Sequence, residues 1–132
     1  MKVKISGYKK DGRKVSVKVS NDDTYSLDNT LAHIIYPALC KFRDKMNGYP
    51  YDIDIEDIPL ELREDFLSID GEDKCWLRWK FIVDEMVWVF GEISSGNIDE
   101  YTYSDLPENR DRIKRVENGL KLFGNFYRSL WW

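Results

Sequence analysis

The chain has 132 residues, 42% apolar and 33% charged, with 5 Trp, 8 Tyr and 6 Phe and a net charge of −4. That is one domain's worth of protein, long enough to bury roughly two-thirds of its unfolded surface without disulfide staples. The composition argues against a disordered chain. No run reaches the ~18 apolar residues of a membrane span, and Met1-Lys2-Val3-Lys4 lacks the apolar stretch of a secretory signal.

Val3-Lys4-Ile5-Ser6 and Val15-Ser16-Val17-Lys18-Val19 alternate apolar and polar around a Lys10-Asp11-Gly12 turn signal. This predicts an antiparallel hairpin of residues 2–9 and 14–20, with Val3, Ile5, Val15, Val17 and Val19 needing something to pack on. After the Asn21–Thr24 loop, Ser26 or Asp28 can cap a helix over 27–47. Its stripe is Leu31, Ile34, Ile35, Ala38, Leu39, Phe42 and Met46. Pro37 falls mid-helix and should kink it, and Gly48 should stop it.

Residues 49–72 read as a packed connection with a short helix around 59–67 opened by Pro59. A second long helix, 74–93, carries Trp79, Ile82, Val83, Met86, Val87, Phe90 and Ile93 on one face and Phe81 and Trp88 on the opposite one. A third, 108–131, has a stripe of Ile113, Val116, Leu120, Phe123, Phe126, Tyr127, Leu130 and Trp131. Gly119 lies within that stripe and points to close approach by another helix. The expected architecture is therefore α+β in a single domain, 1–132. A β-hairpin (1–20) packs on a predominantly helical bundle of three long helices (the 21–132 body).

Charge is uneven. Residues 1–20 carry seven basic groups against Asp11 alone, a net +6, and residues 52–73 carry ten acidic groups against Arg63, a net −9. Such faces are ordinarily solvated, though an acidic one repels phosphate and attracts basic protein surfaces. Asp52-Ile53-Asp54-Ile55-Glu56-Asp57 starts like a calcium loop but lacks its glycine and its terminal Glu. Cys40 and Cys75 form no C-x-x-C pair, and with one histidine no zinc set is indicated. His33 and Cys40 are two helical turns apart, about 10 Å, too far for a nucleophile pair. Asp84, Glu85 and Asp28 are the carboxylates that could serve acid–base or metal chemistry, but adjacent residues 84 and 85 point about 100° apart. No phosphate loop or hydrolase motif occurs. The hairpin has too few aromatics for a single-strand nucleic-acid platform.

Three segments carry a family resemblance. They are Asp23-Thr24-Tyr25-Ser26-Leu27-Asp28-Asn29-Thr30-Leu31-Ala32-His33-Ile34-Ile35-Tyr36-Pro37, then Trp79 through Asp84-Glu85-Met86-Val87-Trp88-Val89-Phe90, then Arg115-Val116-Glu117-Asn118-Gly119-Leu120-Lys121-Leu122-Phe123-Gly124 with Leu130-Trp131. Together they resemble a family of small uncharacterised proteins of tailed bacteriophages, over about residues 20–131. The shared patterns are D-T-[WY]-S-[LM]-D-x-T-L-A, D-E-M-[IV]-W and N-G-L-x-L-F-G. The resemblance implies a phage origin and expression in the host cell cytoplasm; it implies no activity.

The functional expectation is recognition without turnover, with no cofactor, no metal and no catalytic residue. The protein is expected to be an accessory or anti-defence factor that binds a host protein or a small nucleotide-type signal. The alternatives are a metal-dependent nucleotide-processing enzyme and an acidic DNA-mimic inhibitor. The expected binding residues are His33, Tyr36, Phe81, Asp84 and Trp88, where the second helix meets the first. Phe81 and Trp88, opposite the main stripe, also predict a homo-oligomer, a dimer in the first instance. Neither a membrane nor nucleic acid is an expected partner.

Overall fold

The computed structural model describes residues 1–8, 12–50, 53–60, 63 and 72–131, the side chains of 72 and 73 excepted. Strands β1 (Lys2–Ile5) and β2 (Val15–Lys18) pair antiparallel, with Val3 opposite Val17 and Ile5 opposite Val15. Because side chains alternate across a strand, this register puts the valines and Ile5 on one face and Lys2, Lys4 and Lys18 on the other. Gly12, in the turn, takes a φ of 92°, which costs glycine nothing. At the base of the hairpin the Asp23 carboxylate meets the Met1 ammonium at 2.7 Å and accepts from the Ser20 N–H at 2.7 Å and hydroxyl at 2.9 Å. The ammonium first, then the Ser20 donors, hold the Asp23 carboxyl down to about 2. The apolar face itself stays open: Val3, Ile5, Val15, Val17 and Val19 are 37–62% exposed.

Three helices follow, α1 (Leu27–Lys45), α2 (Glu72–Ser95) and α3 (Pro107–Phe126), which completes the expected α+β architecture. Helix α1 runs through Pro37 without interruption. Helix α3 ends earlier than its stripe predicts, tightening into a 3₁₀ turn at Tyr127–Ser129, a common way for a last turn to close. Of the short helix expected around 59–67, residues 61, 62 and 64–67 lie outside the described residues; upstream, Ile55–Asp57 form one 3₁₀ turn.

The core is built around α2. All seven residues of its predicted face are buried, and so is Val89 beside them. Trp79 lies where the three helices meet, edge-on to Phe42 of α1 at 6.4 Å and to Phe126 of α3 at 5.7 Å. Ile53 and Ile58 close the core from the connection. The first turn of α1 is fastened to the end of α2 by Asn29, whose side-chain amide donates to the Ile93 carbonyl at 2.9 Å.

The stripe of α1 differs from expectation in phase. Helix α1 turns Ala32, Ile35, Leu39 and Phe42 inward, and Leu31, Ile34 and Ala38, expected in the core, stay exposed. Two apolar stripes lie side by side on this helix, and α2 accepts the one carrying Ala32. The expected stripe of α3 largely holds: Val116 and Phe126 are buried and Ile113, Phe123 and Leu130 pack against the core, joined by Leu122, whereas Leu120 on the helix and Tyr127 and Trp131 beyond it are 41%, 63% and 75% exposed.

Gly119 does mark a close approach. A Cβ there would lie 2.9 Å from the Val89 Cβ and 3.2 Å from the Glu85 carbonyl oxygen. Gly124, five residues on, has nothing within 4 Å of its would-be Cβ. The two glycines should therefore respond oppositely to alanine. Gly124→Ala is expected to raise stability by up to about 1 kcal/mol through helix propensity. Gly119→Ala should lower it by about 1–3 kcal/mol, because a branched side chain and a backbone carbonyl cannot both withdraw. Paired urea-denaturation midpoints measure both.

Candidate functional site

On α2, Phe81, Glu85, Trp88 and Glu92 recur at helical spacing on the side facing α3, where Asp111, Arg115 and Asn118 recur likewise. At the centre is an ion pair. The Glu85 carboxylate, its side chain 9% exposed, receives the Nε and one terminal nitrogen of Arg115, each at 2.9 Å. The same guanidinium lies 3.9 Å from the centre of the Trp88 ring. A charge pinned on one side by a buried carboxylate and on another by an aromatic ring is fixed in place before any ligand arrives.

Past Trp88, the chain reverses at Gly96 (φ 81°) into a 3₁₀ turn, Asn97–Glu100, which leads into Tyr101. Tyr101 is 2% exposed, and its hydroxyl donates to Glu92 at 2.8 Å. Burial first, then the Glu92 carboxylate, push this phenol up to about 12. Arg112 stands 5.6 Å above the ring. Trp88, Glu92, Asn97, Glu100, Tyr101, Asp111, Arg112 and Arg115 enclose a cleft of about 550 Å³. On the other side of Arg115 a second hollow of about 580 Å³ is lined by Pro59, Phe81, Glu85, Asp111, Lys114 and Asn118. Arg115 and Asp111 wall both, so the two form one groove along the α2–α3 seam. The Asn118 side-chain nitrogen is buried there without a hydrogen-bond partner among the described residues.

The five expected site residues do not come together. Trp88 lines the cleft and Phe81 the adjoining hollow. Asp84 turns the other way, to Arg43 of α1 at 3.6 Å. Tyr36 packs its ring on Gly91 at the α1–α2 seam. His33 is exposed beside Met1, Val3, Asp23, Thr30 and Ile34, under the hairpin. The face of α2 expected to meet α1 at Trp88 meets α3 instead, because Trp88 lies about 40° around the helix from Asp84. This also removes the first ground for an oligomer: Trp88 is covered within the chain by Arg115, and Phe81 is half-buried.

Other candidates have local roles. Asp54 and Asp57 form a reciprocal capping box on the Ile55–Asp57 turn, which engages two of the carboxylates of the calcium-like alternation. Asp28 is exposed, and Ser26 makes no side-chain cap bond. Cys40 and Cys75 are free thiols. Among the described residues no group of three His, Cys, Asp or Glu could hold a metal, and no helix is long and apolar enough to cross a membrane.

Arg115, Arg112, Glu92 and Tyr101 are not among the expected site residues, and Glu85 was considered only as a carboxylate for acid–base or metal chemistry. The available signal was a match between two stripes, 81-85-88-92 on one helix and 111-115-118 on another. No protein-family profile, curated protein or solved structure matches the chain.

Two outcomes follow from this geometry. Arg115→Met should destabilise the fold by about 2 kcal/mol, below the ~3–5 kcal/mol of a fully buried pair because the guanidinium is half in water. In the Glu85→Gln background the same change should cost less, and a double-mutant cycle should return a coupling of about 1–2 kcal/mol. The raised Tyr101 pKa stabilises the fold below pH 10, and that contribution is lost as pH rises from about 10 toward about 12. Alkaline titration of tyrosine absorbance should therefore show a last step near pH 12 that Tyr101→Phe abolishes.

Proposed function

We propose that this chain is a binding protein without turnover that acts in an infected bacterial cell by gripping a host protein through the α2–α3 cleft. The observation that carries this reading is the cleft itself: about 550 Å³, walled by Trp88 and Tyr101, with Arg115 already fixed between Glu85 and the Trp88 ring. Its size is that of a ligand site, and its lining is largely charged and polar around the two rings, which suits it to orienting a polar group.

The charges favour a protein over a nucleotide signal. Glu92, Glu100 and Asp111 line the cleft together with Arg112 and Arg115, and Arg115 is already paired with Glu85. A phosphate entering meets a carboxylate excess; a lysine or arginine side chain meets acceptors. Enzymatic use of Asp84 and Glu85 on one metal is disfavoured because they turn to different helices, each toward an arginine. The setting in a phage-infected cell rests on the resemblance of segments 23–37, 79–90 and 115–131 to the phage family.

Titration of ¹⁵N-labelled protein with an arginine-containing peptide should give saturable shifts at the Trp88 indole N–H. The apparent affinity should fall about tenfold or more in Glu92→Gln/Asp111→Asn, equivalent to roughly 1.4 kcal/mol. A cyclic dinucleotide should leave the same signal in place. Saturable nucleotide shifts without a peptide response would shift the reading to a small signal, and silence toward both would reject the cleft as the binding site.

A further inference from the structure

A second, apolar surface lies elsewhere. The hairpin face of Val3, Ile5, Val15, Val17 and Val19 is open to solvent, and a two-stranded hairpin is marginal without cover. On α1, Leu27, Leu31 and Ile34 are 42%, 40% and 40% exposed, and Ala38 is exposed with them. These four recur at i, i+4, i+7 and i+11, the spacing of a helix seam. The two surfaces are continuous. A hollow of about 480 Å³ has Met1 and Val3 on one wall and Thr30, His33 and Ile34 on the other. Ile34 also lines an apolar groove of about 290 Å³ with Phe42, Phe123, Tyr127 and Leu130.

We infer that the hairpin face and the outer stripe of α1 form a homodimer interface, covered by the same surface of a second copy. Three observations select that occupant. The first is charge. The lysines of the hairpin, Lys2, Lys4 and Lys18, stand on the face away from the valines, with Lys2 directly opposite Lys18. Face-to-face packing of two copies leaves all of them in water. Edge-to-edge pairing sets lysine beside lysine, the device by which edges resist extension. The second is chemistry. The hairpin and stripe residues are aliphatic, so a two-fold pairing buries no unpaired polar side chain from them. The third is area. The hairpin face with Leu27, Leu31 and Ile34 exposes on the order of 600 Å² per copy, so pairing buries about 1,200 Å², the lower bound of a specific interface. This surface is separate from the α2–α3 cleft, and the inference does not rest on the cleft's function.

Sedimentation velocity across micromolar concentrations tests it, with Val17→Glu as the variant. Position 17 is exposed and outside the helical core, so the helical circular dichroism and thermal transition should be retained. The expected result is a monomer–dimer equilibrium whose dissociation constant rises about 100-fold in the variant, because a two-fold interface counts each substitution twice at about tenfold apiece. In a Cys40→Ser/Cys75→Ser background, Val17→Cys should give an oxidised dimer and Lys4→Cys should not. A wild-type monomer at high micromolar concentration overturns the inference, and means that another partner or the chain's own α1 covers the face. So does a dimer indifferent to Val17→Glu, an assembly larger than two, or equal cross-linking from positions 4 and 17.

Discussion

With no side chain at position 119, the backbone of α3 settles against Val89 and the Glu85 carbonyl of α2, at a distance where a Cβ would stand 2.9 Å from its nearest neighbour. The other contacts of α3 follow from that separation. Arg115, one turn earlier on the helix, reaches Glu85 with two nitrogens and lies against Trp88. Val116, Leu122 and Phe126 enter the core, and Phe126 meets Trp79 edge-on. Helix α2 can then be apolar around most of its circumference, since α1 covers one side and α3 the other. A wider spacing would leave a buried carboxylate without its counter-charge, which costs far more than the helix propensity that glycine gives up.

The elements were legible because each has a strong local signature: alternation around Asp-Gly for the hairpin, and a 3.6-residue repeat for each helix. All seven residues expected on the inner face of α2 are buried, since it carries a single uninterrupted apolar stripe, and Val89 joins them. The phase of α1 was not. Leu31, Ile34 and Ala38 are as apolar as Ala32, Ile35 and Leu39, and hydrophobicity does not rank two adjacent stripes. Long-range contacts decide it: Asn29 on the Ile93 carbonyl and the Tyr36 ring on Gly91 fix the rotation of α1. The boundary after Phe126 was missed for a similar reason, because the apolar repeat continues past the residue where the backbone tightens into a 3₁₀ turn.

The candidate site was half legible. Trp88 and Phe81 stood out as aromatics on the wrong side of a helix, and both line the α2–α3 groove. Their neighbours were expected from α1, whereas the chain supplies them from α3 and from the 3₁₀ turn before Tyr101. An ion pair 30 residues apart in sequence, such as Glu85 with Arg115, leaves no local trace; it shows only when the polar stripe of one helix is matched to that of another. His33 and Asp84 drew notice as rare polar groups near apolar ones, and each instead has its own setting, under the hairpin and against Arg43.

The two surfaces differ in what they ask of a partner. The hairpin and α1 stripe offer aliphatic side chains whose burial is favourable and non-directional, so shape alone sets the register. The cleft offers fixed charges and ring faces, which gain from a partner only when it supplies matching donors, since a mismatched one leaves carboxylates desolvated and unpaired. The first is suited to a standing association between identical copies, the second to discrimination among many proteins. Because the hairpin face and the cleft lie on different elements, the proposed pairing through the hairpin would leave the cleft of each copy available. A dimer then presents two clefts, and a partner carrying two basic sites would be held at a raised effective concentration after its first contact, so that a modest affinity per cleft suffices for retention.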